Sequence, residues 1–260
     1  MIKAVFFDVD GTLLSHTQKA VSKSTRTALD ALAQKGVHCV VATGRHMCEL
    51  EQLPLDGLRF DGYITLNGQL SLDARGEVLS SAPITGEDKE YLLRIFRNND
   101  IPIVLVEKNR MYINFINEQV KSAQEAISTP LPEIGEYTGN ELYMAVAYLD
   151  KAQQQELDGL LSNCRITRWN PNAIDIIASG GGKQEGIRQY LELNNILLEE
   201  TMAFGDGEND VDMLRYVGIG IAMGNAEAVT KENADYITAS VDDDGIYNAL
   251  VTFKVIDSEA

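Results

Sequence analysis

Two aspartates stand two positions apart at the end of an apolar run near the start of the chain. The run reads Phe6-Phe7-Asp8-Val9-Asp10-Gly11-Thr12. In a strand, side chains at i and i+2 share one face, so both carboxylates would project together from the strand end. Two such anions favour a hard divalent cation such as Mg²⁺, which takes oxygen ligands and can be shared with a substrate phosphate. Asp8 is then a candidate nucleophile and Asp10 a candidate general acid and base, whereas a solvated strand end with turn-forming aspartates is the alternative interpretation.

A second acidic loop, Phe204-Gly205-Asp206-Gly207-Glu208-Asn209-Asp210, also follows an apolar run and precedes a helical stretch. Its spacing does not suit a calcium-binding EF-hand loop, which needs oxygen ligands at alternating positions and a distal glutamate. Asp210 or Asn209 could also act as the N-cap of the following helix, so the loop alone leaves a structural role open.

The segments that carry these loops alternate between short apolar runs and amphipathic stretches. This alternation predicts strands over residues 4–9, 37–42, 63–66, 201–204 and 218–222, and helices over residues 25–35, 211–216 and 227–234. Continuous apolar strands indicate a parallel sheet covered on both faces, and thus an α/β, Rossmann-like core. Ligands bind at the carboxyl edge of such a sheet, where both acidic loops would lie.

The middle of the chain has a different pattern and predicts an inserted α+β domain. We expect strands over residues 101–107, 111–116, 142–149, 165–169 and 174–178, and helices over residues 121–128 and 151–161. The predicted organisation is a catalytic core formed by residues 1–82 and 182–260, interrupted by an insert over residues 83–181. Flanks rich in glycine and proline would provide flexible entry and exit.

Composition limits the partners that the protein can have. The formal net charge is -17, which disfavours nucleic acid and anionic membranes because both require a basic surface. A phosphate ester would also be repelled, so its site must recruit a divalent cation and a local lysine or arginine. The N-terminus has no basic and apolar leader pattern, and we expect a cytoplasmic protein that is a monomer or homodimer.

These motifs resemble those of the haloacid dehalogenase-like phosphatases, whose first motif is Asp-x-Asp-x-Thr after an apolar strand. Thr43-Gly44-Arg45, which follows the predicted strand 37–42, matches the second motif. Lys183 matches the third motif, and the loop from Asp206 to Asp210 matches the fourth. Taken alone, the second motif would also suit a plain strand-to-helix turn, and a lysine after glycines is commonly a surface residue.

The resemblance implies a role for each matched residue. Asp8 and Asp10 would be catalytic and would hold Mg²⁺ together with Asp206, Asp10 through its backbone carbonyl, and Asp210 would support the outer shell of the metal. The residues that would bind the phosphoryl group are Thr43, Gly44, Arg45, Lys183 and Asn209.

The insert lies between the second and third motifs, an order that resembles Cof-type members with a class IIB cap. The resemblance implies that residues 83–181 form a cap that selects the substrate, a small phosphorylated metabolite with sugar phosphates, hexose phosphates first, as the leading class. Thr65-Leu66-Asn67-Gly68 also resembles a segment that precedes the cap in such proteins.

The implied reaction has two steps, in which Asp8 takes the phosphoryl group and water then removes it. A phosphotransferase such as a sugar phosphomutase shares the core and would differ only in its acceptor. A phospho-accepting signalling receiver also uses an acidic cluster, a threonine and a lysine, but it would need only about half of this length.

Overall fold

The computed structural model describes residues 1–127 and 129–258. Its first part contains strands β1 (Ala4–Phe7), β2 (His38–Ala42), β3 (Gly62–Thr65), β4 (Leu70–Asp73) and β5 (Val78–Ser81), with helices α1 (Lys23–Gln34) and α2 (Met47–Leu50).

In the middle part, the described residues form helices α3 (Gly86–Asn98), α4 (Glu118–Ala126) and α5 (Lys151–Asp158) and strands β6 (Ile103–Val106), β7 (Met111–Ile113), β8 (Met144–Ala147), β9 (Cys164–Asn170) and β10 (Ala173–Ala178). Residue 128, the last position of the helix predicted over 121–128, lies outside the described residues.

The last part returns to alternating helices and strands: α6 (Lys183–Asn194), β11 (Thr201–Gly205), α7 (Val211–Tyr216), β12 (Ile219–Ala222), α8 (Ala228–Glu232), β13 (Tyr236–Ile237) and α9 (Gly245–Thr252).

Strands from the first and last parts form one sheet, in the order β13-β12-β11-β1-β2-β3-β4-β5. The strands from β13 to β3 are parallel to their neighbours, whereas β4 runs antiparallel to β3. Every residue of β1 is buried, as expected for a strand in the middle of a sheet covered on both faces. The predicted α/β fold with a parallel-sheet core is confirmed, and β4 and β5 extend the sheet beyond the predicted strands.

Two helices that the sequence analysis did not assign have clear amphipathic patterns. In α6, Ile187, Tyr190 and Leu191 are buried, which is the i, i+3, i+4 spacing of one helix face. In α3, the buried residues include Leu92 and Phe96, four positions apart. The N-cap of α1 is Ser22, whose side chain accepts a hydrogen bond from the backbone N–H of Thr25.

The chain divides into two compact units, one formed by residues 1–80 and 182–260 and the other by residues 81–181. Each unit has its own hydrophobic core. The second unit contains an antiparallel sheet in the order β7-β6-β8-β10-β9, and its role as a specificity cap stays a prediction. Among the helices of the described residues, none has both the length and the apolarity needed to cross a bilayer.

Candidate active site

The carboxyl ends of three adjacent parallel strands bring the first, second and fourth motifs together. In β1, Phe7 is in register with Val41 of β2 and with Phe204 of β11. Asp8 follows β1 directly, and its backbone N–H donates to the carbonyl of Phe204 at 3.0 Å. Thr43 follows β2 and Asp206 follows β11, so the predicted residues lie at one edge of the sheet.

A buried lysine joins two of the aspartates. Lys183 Nζ donates to Asp8 Oδ1 at 2.7 Å and to Asp210 Oδ1 at 2.6 Å. The side chains of Lys183, Asp8 and Asp210 are only 1%, 8% and 1% exposed. Burial alone would lower the pKa of Lys183, but Asp210 and Asp8 outweigh burial and raise it. Lys183 is therefore a charged core residue rather than a surface residue after a glycine-rich linker.

Asp210 is held in place on both of its carboxylate oxygens. While Oδ1 accepts from Lys183, Oδ2 accepts from the backbone N–H groups of Asp206 and Gly207, each at 3.0 Å. These bonds fix the loop between β11 and α7 around the carboxylate. They leave Asp210 better suited to orienting its neighbours than to direct contact with a metal.

Asp8, Asp206 and Asp210 together carry more negative charge than Lys183 can balance. Burial raises the pKa of Asp206 to about 7, and the nearby Asp210 contributes to this rise against the opposing effect of Lys183. Burial and Asp210 likewise raise the pKa of Asp8 well above its usual range, again opposed by Lys183. Carboxylates that resist ionisation in this way gain from a further cation.

Oxygens of Asp8, Asp206 and Asp210 lie within 4.8 Å of one another, and Asp8 and Asp206 are the candidates for direct contact with a metal. An all-oxygen, carboxylate-rich set of donors suits a hard cation such as Mg²⁺. Gly11, which has φ +78°, lies against the carboxylate of Asp206. A Cβ atom at Gly11 would lie 2.1 Å from Asp206 Oδ2, so a side chain there would displace the Asp206 carboxylate.

Asp10 is paired with an arginine of the second motif. Arg45 Nε donates to Asp10 Oδ2 at 2.6 Å, and Arg45 Nη2 donates to Asp10 Oδ1 at 2.8 Å. The two side chains are about one quarter and one third exposed. The hydrogen bonds that Arg45 donates to Asp10, and more weakly the charges of Asp10 and Glu49, raise the pKa of Arg45 against the effect of burial. Such a bidentate pair fixes the orientation of the carboxyl group.

The other predicted phosphate-binding residues lie along the same edge. Thr43 is buried, and its hydroxyl accepts from the backbone N–H of Arg45 at 3.1 Å. Gly44 lies beside Asn67, whose side-chain oxygen would be 3.1 Å from a Cβ atom at Gly44. Asn209 is exposed, and its Nδ2 donates to Asn67 Oδ1 at 3.1 Å.

The structure adds residues to which the sequence analysis gave no individual role. The hydroxyl of Thr12 donates to Asp206 Oδ1 at 3.4 Å. Asn225 Nδ2 donates to the carbonyl of Gly11 at 2.8 Å and to Asp206 Oδ2 at 3.3 Å. The signal for Thr12 is its place in the first motif. Asn225 follows β12, which ends at the same edge of the sheet, and the strand-end argument applied to that strand would have found it.

Comparisons with known proteins agree with this geometry. A family model for haloacid dehalogenase-like hydrolases matches residues 5–250. The structure of the phosphatase BT1666 from Bacteroides thetaiotaomicron is similar with a TM-score of 0.90, 33% identity, and coverage of 98% of this chain and 96% of that chain.

The subclass IIB sugar phosphatase BT4131 is similar with a TM-score of 0.84 and 34% identity, covering 98% of this chain and 100% of that chain. The 5-amino-6-(5-phospho-D-ribitylamino)uracil phosphatase YcsE of Bacillus subtilis (strain 168) is 28% identical over 96% of this chain and 94% of its own length.

Proposed function

Since the chain belongs to the haloacid dehalogenase-like hydrolase family, we propose that it is a Mg²⁺-dependent phosphatase of a small phosphorylated metabolite. The phosphoryl group passes through an aspartyl phosphate on Asp8, and Asp10 is the general acid and base. Its structural relatives include phosphatases that match nearly the whole chain. This agreement favours a hydrolase over a signalling receiver.

One observation carries the proposal. Asp8 stands at the carboxyl end of the central strand β1, is paired with the buried Lys183, and lies with two further aspartates within 4.8 Å. A solvated strand end would not bury a lysine between two carboxylates, because removing three charges from water is costly. The arrangement is what a site needs if it must hold a nucleophilic carboxylate against an anionic substrate.

Asp8 and Asp206 would hold Mg²⁺ through their carboxylates, with the backbone carbonyl of Asp10, while Asp210 would orient the loop that carries Asp206. When bound, Mg²⁺ would spread the charge that develops on the transferring phosphoryl group. Lys183 would reduce the repulsion between Asp8 and the phosphate by its fixed positive charge. Thr43 and the neighbouring backbone N–H groups would hold the phosphoryl oxygens.

In the first step, an oxygen of Asp8 attacks phosphorus and the bond from phosphorus to the ester oxygen breaks. Asp10 donates a proton to that oxygen, so the product leaves as a neutral alcohol. In the second step, water attacks the phosphorus of the aspartyl phosphate and gives its proton to Asp10. The bond between phosphorus and Asp8 breaks, which restores the carboxylate and releases inorganic phosphate.

The leading substrate class is a sugar phosphate. This proposal is supported by the likeness to BT4131, a sugar phosphatase, over nearly the whole of both chains. The likeness to YcsE, which is named for a phosphorylated ribitylaminouracil, makes other polyol phosphates the next class. Residues 81–181 would choose among them as the cap.

The experiment is phosphate release from a panel of sugar, polyol and cofactor phosphates and one aryl phosphate, with Mg²⁺ and then with excess chelator. We expect Mg²⁺-dependent turnover that disappears in Asp8→Ala and in Asp10→Ala, while both variants stay folded. Asp30→Ala, which makes the same change at an exposed aspartate of α1, is the matched control and should be fully active. Turnover that persists in Asp8→Ala, or that is unchanged by excess chelator, would refute the mechanism.

A further inference from the structure

The turn formed by Leu66, Asn67 and Gly68 has an unusual backbone. Leu66 and Asn67 both have φ of 53°, and Gly68 has φ of 86°. The left-handed region is unfavourable for residues with a Cβ atom, and for a branched side chain such as leucine it is rare. Conformations of this kind persist only where surrounding contacts enforce them, and they are concentrated at functional sites.

The contacts that enforce this turn come from the second motif. The backbone N–H of Leu66 donates to the carbonyl of Arg45 at 3.2 Å, and that of Asn67 donates to the carbonyl of Thr43 at 3.0 Å. The turn is thus bonded on successive residues to the loop after β2. These two bonds help to hold Leu66 and Asn67 in the left-handed conformation.

The same turn also lies against the third motif. A Cβ atom at Gly68 would stand 1.9 Å from the carbonyl oxygen of Gly182 and 2.9 Å from the backbone nitrogen of Lys183. Only glycine allows the two backbones to approach this closely. The turn therefore fixes the start of α6, where the lysine that pairs with Asp8 is located.

The side chain of Asn67 extends this link to the fourth motif. Its Oδ1 accepts the hydrogen bond from Asn209 Nδ2 at 3.1 Å. Asn209 lies in a short turn and is exposed, so its side chain would otherwise sample several rotamers. An amide NH₂ group has two N–H donors, and the bond to Asn67 uses one and leaves the other for a ligand oxygen.

We propose that Asn67 is a positioning residue that holds the amide of Asn209 ready to bind a phosphoryl oxygen. The inference deepens the proposed function, on which it rests. The position has two requirements, and asparagine meets both: it tolerates the left-handed backbone and supplies the acceptor oxygen. Glycine would satisfy the first requirement alone, which makes Asn67→Gly the informative substitution.

The test is a double-mutant cycle in Mg²⁺, with inorganic phosphate as the ligand and calorimetry as the measurement. The proteins are the wild type, Asn67→Gly, Asn209→Ala and the double variant. Loss of one orienting hydrogen bond should weaken phosphate binding about fivefold to tenfold in Asn67→Gly. The double variant should bind no more weakly than Asn209→Ala, because Asn67 acts through Asn209.

The matched control is Asn195→Gly. Asn195 also has φ of 53°, is exposed, and directly follows α6 as its C-cap, in the same compact unit. Asn195→Gly makes the same chemical change in the same backbone conformation. The phosphate affinity of this variant should equal that of the wild type. Unchanged phosphate affinity in Asn67→Gly would overturn the inference. So would a loss of affinity in the double variant that equals the product of the two single losses.

Turnover of an aryl phosphate by the same proteins separates this inference from the function on which it rests. A lost binding contact should raise KM more than it lowers kcat in Asn67→Gly. Wild-type protein that binds phosphate but releases none from any ester would refute the phosphatase proposal, while the binding cycle would still decide the role of Asn67. Wild-type protein that binds no phosphate would refute the inference directly.

Discussion

Replacing Lys183 by methionine tests whether the buried ion pairs are as tightly coupled as their geometry indicates. Methionine keeps much of the side-chain length and apolar contact but removes the charge. Asp8 and Asp210 would then face each other without the cation that lies 2.7 and 2.6 Å from them. Both carboxylates are almost fully buried, so water can replace little of the lost interaction.

The expected loss follows from burial. Removing one partner of a buried ion pair costs about 3 to 5 kcal/mol in the free energy of unfolding. Lys3→Met is the control, because Lys3 pairs with Glu200 at 2.8 Å but is 54% exposed. An exposed pair of this kind contributes about 0 to 1 kcal/mol. Two substitutions of the same chemical type should thus differ by roughly 2 to 5 kcal/mol.

Urea unfolding at neutral pH, without metal, would measure the difference. Circular dichroism is the appropriate signal, since the single tryptophan, Trp169, lies in the unit formed by residues 81–181. The deficit of Lys183→Met should shrink as the pH falls, because protonating Asp8 removes the repulsion that the variant exposes. Equal unfolding midpoints for the two variants at neutral pH would show that Lys183 is not coupled to the aspartates as described.

Three further predictions concern the carboxylates and their supports. The raised pKa of Asp206, about 7, means that its stabilising contribution is fully present below about 3.8 and is lost as the pH rises through 7. In chelator, Asp206→Asn should therefore gain stability relative to the wild type between about pH 4 and 7, by up to about 1.4 kcal/mol per pH unit, and the gain should level off above about pH 7. A stability difference between the two proteins that does not change with pH in urea titrations would contradict this assignment. Arg45→Lys should lower kcat/KM much more for an alkyl phosphate than for an aryl phosphate, because only the poorer leaving group needs the acid that Arg45 orients, a contribution of about 10²-fold or more. Equal losses for both esters would indicate that Arg45 binds the phosphate instead. Gly11→Ala should lose Mg²⁺-dependent turnover, because the added Cβ would displace the Asp206 carboxylate. The control is Gly76→Ala, with φ +80° but no atom within 4 Å of the added Cβ, which should lose only about 1 to 2 kcal/mol of stability. Retained Mg²⁺ dependence in Gly11→Ala would show that the Asp206 carboxylate can move aside.

The sequence predicts the core and its charged loops well because these features are local. An apolar run that ends in aspartates marks both a buried strand and the edge where that strand stops, as at Asp8 and Asp206. The burial of Lys183 could not be predicted in the same way, because it depends on two aspartates that are 175 and 27 positions away. The antiparallel strand β4, Leu70–Asp73, was missed because its two leucines alternate with Ser71 and Asp73, so it lacks the continuous apolar run by which the core strands were predicted.

The asparagines of the site show a second limit. Asn67 and Asn225 are neutral, and each stands alone in its segment, so neither produces a charge pattern or a metal-ligand spacing. Their importance comes from their contacts: Asn67 accepts from Asn209, and Asn225 donates to Asp206 and to the backbone at Gly11. The sequence points to Asn67 through the resemblance of the segment Thr65-Leu66-Asn67-Gly68, whereas Asn225 is found only by inspecting the polar residues that come after each strand at the carboxyl edge of the sheet.

The charge balance of the site connects its metal, its substrate and its fixed cations. Four aspartates converge here, and the two cations that accompany them are already engaged, since Lys183 is paired with Asp8 and Asp210 while Arg45 is paired with Asp10. An approaching phosphate ester would meet net negative charge in a chain that is itself strongly acidic. A divalent cation shared by protein and ester would neutralise that charge. Because such coupling is reciprocal, Mg²⁺ should strengthen phosphate binding by the same factor by which phosphate strengthens Mg²⁺ binding.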